Sequence, residues 1–271
     1  MKLIRLGFVL ALFLAAQASA GVVFEIETKD QGSNEPGSVL TVIDGKNVKM
    51  VVTSGDGNEN SEMIFHGDSR EMVVVDHDER SYMVIDEAMM KSLGEKMSGY
   101  EAQMREALKD VPPEQRAMVE QMMKGRMPAA TKAPAQPIVA FNNTGEHDTR
   151  NGYPSTRYEM TIGGHKTQDL WVTDWKNVDG GEEAVGAFQA MSGFFKQMRD
   201  SMPRFGGRED ADDNPLQHMN EMKGFPVQTY EYARDGSIAG ESSLLSSVEK
   251  AVDSAEFEPP SAYKRREMMP Q

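Results

Sequence analysis

Apolar and polar residues alternate in short runs through the first third of the chain. Six such runs occur within residues 22–85, at 22–28, 38–43, 48–53, 62–66, 70–76 and 80–85. Period-two alternation bounded by Gly, Asn, Asp and Ser is typical of strands, and the pair Asp44-Gly45 favours a tight hairpin turn. The pattern therefore predicts an antiparallel meander of six strands.

From residue 86 the apolar period changes to three and four residues, which predicts an amphipathic helix over 86–109. The pair Pro112-Pro113 ends this helix and begins a second over 113–126, and the Pro/Ala-rich stretch 128–137 reads as a linker. We therefore expect a helical insertion over 86–127. The apolar faces of its two helices contain Met89, Leu93, Met97, Tyr100, Met104, Leu108, Met118, Val119, Met122 and Met123.

Strand patterns resume after the linker and are interrupted by a third helix. We predict strands at 138–141, 155–162, 166–173, 227–233 and 237–248, a helix over 181–202 and a short helix over 215–222. The third helix has Ala184, Phe188, Met191, Phe195, Met198 and Met202 on its apolar face. The fold class is therefore a β-rich α+β domain with one large curved antiparallel sheet, a half-open barrel of about eleven strands, covered by amphipathic helices.

Residues 1–20 have the features of a cleavable signal peptide. Lys2 and Arg5 precede an uncharged run from residue 6 to residue 16, and Ala18, Ser19 and Ala20 form a small-residue cleavage site. The run is shorter than the roughly 20 residues that span a bilayer as a helix, so we expect no membrane span after cleavage. The mature protein should be periplasmic or secreted, with a single domain over 21–265 and a tail over 266–271.

Composition narrows the classes of partner. The 271 residues carry a formal net charge of −14, and we therefore expect no nucleic-acid partner, because the phosphate backbone would be repelled. The chain has no cysteine, so its stability outside the cytoplasm must come from burial and strand pairing. Oligomeric state does not follow from these features.

The sequence offers no pattern of catalytic residues. No two of the five histidines share the short helical spacing of a metalloprotease motif, and no Gly-rich loop has the form that holds phosphates. Ser247 and Lys250 match a Ser-x-x-Lys pair, but the companion motifs of penicillin-recognising enzymes are missing. We predict that the protein is not an enzyme and has no cofactor.

Methionine is the unusual residue type, with 21 copies. Thioethers bind Cu(I), and His218, Met219 and Met222 are the best local candidates for a metal site. Methionine also makes adaptable apolar surfaces that pack on a sheet or accept irregular apolar ligands. Because most methionines recur at helical spacing among Leu, Tyr and Phe, the sequence favours a core or groove over copper binding.

The segments MVIDEAMMKSL, VPPEQRAMVEQMMKGRM, TRNGYPSTRYEM and LWVTDWKNVDGG together resemble an exported bacterial family, the domain-of-unknown-function family 4412. The ending GFPVQTYEYARDG…FEPPSAYKRR more distantly resembles the outer-membrane lipoprotein carrier superfamily, with Phe257, Pro259, Pro260 and Tyr263 in the tail and one extra residue before the Tyr. The second resemblance implies a half-open barrel whose concave face, covered by helices, takes acyl chains.

These observations lead to a hypothesis with two alternatives. The leading hypothesis is a non-enzymatic, exported binding or carrier-like protein with a hydrophobic groove for a lipid, an acyl chain or an apolar peptide, or for a lipoprotein-like partner. The alternatives are a methionine-rich copper-binding protein and a structural or partner-docking envelope protein. If the helices pack tightly on the sheet, the same residues form a solid core. The predicted groove residues are Met89, Met97, Met118, Met122, Phe188 and Phe195.

Overall fold

The computed structural model describes residues 19–33, 35–55, 60–109, 138–201 and 224–267. In these ranges it contains a single twelve-stranded sheet, curved and unclosed, with two long helices. The predicted fold class is confirmed. The predicted helices at 113–126 and 215–222 and the linker at 128–137 lie outside the described residues.

The first half of the fold is the predicted meander. All six strands form, each within a few residues of its predicted bounds. They are β1 (Ser19–Asp30), β2 (Gly37–Asp44), β3 (Asn47–Thr53), β4 (Asn60–His66), β5 (Glu71–Asp76) and β6 (Ser81–Ile85).

The remaining elements follow the predicted order. They are α1 (Glu87–Lys109), β7 (Val139–Arg150), β8 (Tyr153–Ile162), β9 (His165–Thr173), α2 (Gly181–Ser201), β10 (Phe225–Tyr232), β11 (Ile238–Val252) and β12 (Lys264–Arg265). Strand β7 continues nine residues beyond the predicted 138–141 because it pairs with β8 on both sides of a bulge between Asn143 and His147. The short strand β12 was not predicted.

Tight turns set the register of the hairpins. In the β7–β8 turn Asn151 and Gly152 have φ of 51° and 84°, and in the β8–β9 turn Gly163 and Gly164 have φ of 57° and 84°. Two consecutive positive φ angles match the twist of the flanking strands, so the turn joins them without splaying.

The strand order is β12-β6-β5-β4-β3-β2-β1-β11-β10-β9-β8-β7. All neighbours are antiparallel except β12, which pairs parallel to β6. Strand β1 pairs with β2 on one side and with β11 on the other, so it joins the two halves of the sheet. The edges of the sheet are β12 and β7.

Helix α2 packs on one face of the sheet, called here the inner face. Gly180 immediately precedes the helix with a φ of 67°, and its N–H donates to Glu249 Oε1 at 3.1 Å. The main core lies between α2 and the strands, where Phe24, Leu170 and Val227 are buried. No helix in the described ranges is both long and apolar enough to cross a membrane.

Candidate functional site

The inner face beneath α2 is a solid core. Phe188 of α2 lies among Phe24 and Phe225 of the sheet and Trp175, with ring centroids 6.1 to 6.3 Å from that of Phe188. Further along the helix, Phe194 packs on Phe65 with centroids 5.4 Å apart. Close packing of this kind leaves little space for a ligand, so this part of the sheet serves stability.

A different surface continues along the inner face of β3 to β6. Strand pairing places Met50 opposite Met63, Met63 opposite Val74 and Val74 opposite Met83. These four residues are named here the apolar row. Each is only partly buried although each contacts the main core. Directly opposed side chains on neighbouring strands lie about 5 Å apart, so the row is a continuous apolar strip.

Burial decreases across this part of the sheet from one row to the next. One step towards α2, the row formed by Val48, Phe65, Met72 and Ile85 is buried. One step away from α2, Val52 is 41 % exposed and Ser61 is exposed, whereas Ser81 at the β6 end of that row is buried. Along β3 and β4 the apolar row therefore forms the border between closed core and open surface.

Helix α1 begins two residues after the end of β6. Asp86 caps it, because the side chain accepts a hydrogen bond of 2.7 Å from the Met89 N–H. Met90 is buried in the core and Met89 is partly buried against it. The capped start of α1 thus adds a partly exposed methionine to the same end of the sheet as the apolar row.

The structure separates the predicted groove residues. Phe188 is in the core at 4 % exposure, whereas Met89 and Phe195 are partly buried at its margin. Met97 lies in α1 with its side chain outside the described part of the chain, and Met118 and Met122 lie wholly outside it. Whether any of the six contacts a ligand stays a prediction.

The predicted copper ligands His218, Met219 and Met222 also lie outside the described residues. Within the described ranges, no group of three or more His, Cys, Asp or Glu side chains is placed to hold one metal ion.

A C-terminal segment covers part of the opposite, outer face of the sheet. Residues 253–267, called here the strap, leave β11 and cross β1 to β6. Phe257 is 2 % exposed and packs on Val42, Ile64 and Val73, and Tyr263 contacts the same cluster. The strap ends as β12 along the edge of β6. The Phe and Tyr that resemble a lipoprotein-carrier tail thus close a second small core.

Polar contacts tie the strap to the strands beneath it. His77 bridges Tyr263 and the buried Glu62, with Nδ1 3.0 Å from the Tyr263 hydroxyl and Nε2 3.1 Å from Glu62 Oε2. Lys49 Nζ lies 3.4 Å from both Glu62 and Glu256. His77 therefore has a structural role in the packing of the strap.

The outer face of the other half of the sheet carries a charged and aromatic cluster. Asp169 Oδ2 accepts hydrogen bonds of 2.7 Å from Arg157 Nη2, Lys166 Nζ and the Tyr232 hydroxyl. Burial alone would raise the pKa of Asp169, but the three donors lower it below its usual value. The Asp169 carboxylate is therefore ionised at neutral pH.

The same contacts change the pKa values of the donors. Burial raises the pKa of Tyr232, and its hydrogen bond to Asp169 raises it further. Burial lowers the pKa of Lys166, but the hydrogen bond to Asp169 and the charge attraction of Asp169 and Tyr232 together outweigh this, and the net shift is upward. Hydrogen bonds to Asp169 and Glu146 raise the pKa of Arg157. Both cations and the phenol keep their protons across the physiological range.

Sequence reasoning did not identify the apolar row or the Asp169 cluster. The sequence does contain a signal for the row. Met50, Met63 and Met83 lie in three predicted strands, and in each strand alternation assigns the methionine to one face of the sheet. The signal for the cluster was Asp169, the single acidic residue of the β9 segment HKTQDLWVT. It directly precedes the apolar residues of that strand. Neither signal reveals which strands are neighbours, and both features depend on that.

The chain matches no family model, and no curated protein matches it. Among solved structures it is similar to an uncharacterised conserved protein from Thermus thermophilus, at 5 % identity and a TM-score of 0.44, with 93 % of each chain covered. It is also similar to the MucA/MucB complex of Pseudomonas aeruginosa, at 9 % identity and a TM-score of 0.37, covering 92 % of this chain and 58 % of that one. A third similarity is to MucB alone, at 8 % identity and a TM-score of 0.34, covering 92 % of this chain and 60 % of that one.

Proposed function

We propose that this protein is an exported, non-enzymatic binding protein whose apolar row takes an acyl chain or a comparably apolar segment. The observation that carries the proposal is the row itself. Met50, Met63, Val74 and Met83 form a strip in register that is only partly buried, next to a core row that is buried.

The chemistry of the row suits an irregular apolar ligand. Methionine side chains are unbranched and polarizable, so they adapt to a flexible chain better than branched residues do. Burying a methionine side chain fully contributes about 1.5–3 kcal/mol, so completing the burial of four partly buried side chains supplies a useful share of a micromolar affinity, about 8 kcal/mol. The solid core under α2 would meanwhile keep the sheet rigid.

The signal-peptide pattern at residues 1–20 supports export. Cleavage after Ala20 would remove Ser19 and Ala20, which pair with Val252 and Ala251 at the end of β1. Because Gly21 to Asp30 continue the pairing with β11, the mature chain would keep β1 almost whole.

Native mass spectrometry of the protein purified without detergent from an envelope fraction tests the proposal. We expect a mature chain starting at Gly21 with additional mass of lipid size that is lost on denaturation. An elemental scan of the same sample tests the copper alternative. A chain with no bound mass in either measurement contradicts the ligand proposal and leaves the solid core as the account of the methionines.

Substitution of the row tests where the ligand binds. The double variant Met50→Gln/Met63→Gln keeps side-chain length but introduces two polar amides, and we expect it to retain about tenfold less bound lipid. Leu245→Gln is the matched control, because Leu245 is an apolar residue exposed outside the row. Equal loss of lipid in both variants would contradict binding at the row.

A further inference from the structure

An open depression of about 220 Å³, called here the Asp169 cavity, lies on the outer face of the half-sheet formed by β7 to β11. It is on the opposite side of the sheet from the apolar row. Its walls are Glu146, Arg150, Arg157, Asp169, Trp171, Tyr230, Tyr232 and Ile238. At roughly 30 Å³ per water molecule the cavity has room for about seven waters, which is the size of one small ring with substituents.

The floor of the cavity is rigid. Arg157 is held by Glu146 at 2.8 Å and by Asp169 at 2.7 Å, and Arg150 lies over the Trp171 ring at 4.3 Å from its centroid. Charge-assisted hydrogen bonds and cation–π contacts fix these planar groups before any ligand arrives. A ligand would therefore lose little affinity to ordering the protein.

The two carboxylate oxygens of Asp169 differ in their hydrogen bonds. Its side chain is 4 % exposed, and all three donors bind Oδ2. Oδ1 is buried and has no hydrogen-bond partner among the described residues. A buried acceptor without a donor is costly. Oδ1 is closed to solvent, so a ligand hydroxyl that displaced the side-chain atoms covering it would remove this penalty as well as add a bond.

The charges of the walls select against an ionic ligand. The guanidinium groups of Arg150 and Arg157 and the adjacent Lys166 ammonium are balanced by three carboxylates, and each cation already has an acidic partner. The carboxylates are Asp148, Glu146 and Asp169. An anion would face the carboxylates and a cation would face the guanidinium groups. A neutral hydroxyl avoids both conflicts, because it donates to a carboxylate and accepts from a guanidinium.

The remaining walls are aromatic and aliphatic. Tyr230 and Tyr232 are partly buried, and Ile238 is 49 % exposed. Lys166 Nζ lies over one face of Tyr232, 4.4 Å from the ring centroid. The Tyr230 ring and Ile238 are therefore the walls that can pack against the C–H groups of a ligand ring, while a few fixed polar groups set its orientation. We propose that this cavity is a second binding site, specific for a neutral hydroxylated ring such as a single sugar unit, either free or at the end of a glycan.

Saturation-transfer NMR on the mature protein tests this site with glucose, N-acetylglucosamine and a trimer of N-acetylglucosamine, using cyclohexanol as a ring with one hydroxyl. We expect transfer to the ring protons of at least one sugar, and weaker transfer to cyclohexanol. Transfer to the monosaccharides identifies a free sugar as sufficient, and transfer confined to the trimer identifies a glycan end. No transfer to any sugar, or equal transfer to cyclohexanol, overturns the proposal.

Two variants locate the site. Tyr230→Leu removes an aromatic wall, and Tyr232→Phe removes only the hydroxyl that donates to Asp169; we expect each to weaken sugar binding about tenfold. Tyr158→Leu is the matched control, since Tyr158 is a partly buried tyrosine of β8 that packs against the main core. Circular dichroism confirms that each variant is folded. Unchanged sugar affinity in both cavity variants would overturn the assignment, and lipid loading at the apolar row should be unaffected throughout.

Discussion

At the scale of single residues, the packing depends on Asp169 Oδ2, which holds three donors, and on the absence of a Cβ at Gly180. Asp169 Oδ2 organises two cations and a phenol on one face of the sheet. Gly180 allows the chain to turn into α2 beside Val22, because a Cβ at this position would lie 2.5 Å from the Val22 Cβ.

The variant Asp169→Asn should lose roughly 3 kcal/mol of stability at pH 7, because three donors lose their charged acceptor. The pKa of Asp169 is lowered in the folded state from an ordinary value of 3.8, so its contribution is present at neutral pH and is lost as pH falls through the folded-state pKa. Urea unfolding at a series of pH values should therefore show the wild-type advantage shrinking below pH 3.8.

Glu146→Gln serves as the control for this measurement. Glu146 is 54 % exposed and pairs with the same Arg157, so its loss should change stability by less than about 1 kcal/mol. An equal effect of the two substitutions would contradict the central place of Asp169.

Gly180→Ala should destabilise the protein by at least about 2 kcal/mol, since it combines a positive φ of 67° with the clash against Val22. Gly164→Ala isolates the first of these effects, because its φ is 84° but a Cβ there meets nothing within 4 Å. Thermal unfolding should rank Gly180→Ala well below Gly164→Ala, and the reverse order would contradict the close approach of α2 to β1.

At the scale of elements, the strap is the part that ties distant segments together. It joins the end of β11 to the edge of β6 across the outer face, and Phe257 and Tyr263 supply its apolar contacts. The sheet edge at β6 is consequently paired at Ser81 and Tyr82, which shortens the edge that another chain could use to add a strand.

Phe257→Ala should cost about 3–4 kcal/mol, because it leaves a cavity beneath the strap where the side chain was 2 % exposed. Phe257→Leu keeps most of the volume and should cost less than about 1.5 kcal/mol. Chemical denaturation of both variants measures the two losses in free energy of unfolding. The comparison requires that the strap stays packed on the sheet in each variant. A negligible loss in Phe257→Ala would mean that the strap contributes little to the second core.

Local patterns predicted most elements and failed where pairing is distant in sequence. Alternation and turn residues located β1 to β6, and helical spacing located α1 and α2. Strand β12 was not predicted because two residues are too few to show an alternation of apolar and polar positions. Its formation depends on pairing with β6, which is distant in the sequence. The bulged extension of β7 was missed for the same reason, since its polar residues pair with β8 without alternating apolar positions.

At the scale of the whole molecule, the sheet consists of two halves with different uses of their faces. In β1 to β6 the outer face is partly covered by the strap and the inner face ends in the apolar row. In β7 to β11 the inner face belongs to the main core and the outer face carries the Asp169 cavity. Sequence patterns could place residues on alternate faces, but they could not show that β1 pairs with β11, which determines how the halves join.

The pairing of β1 with β11 also has a consequence for how the protein is made. Residue 22 lies opposite residue 249, so the centre of the sheet cannot form until nearly the whole chain has been synthesised. Contacts between such distant segments require a large loop to close, and sheets of this kind fold slowly, on the order of milliseconds to seconds. A growing chain would stay incompletely folded until its last long strand emerged, a state compatible with the proposed export.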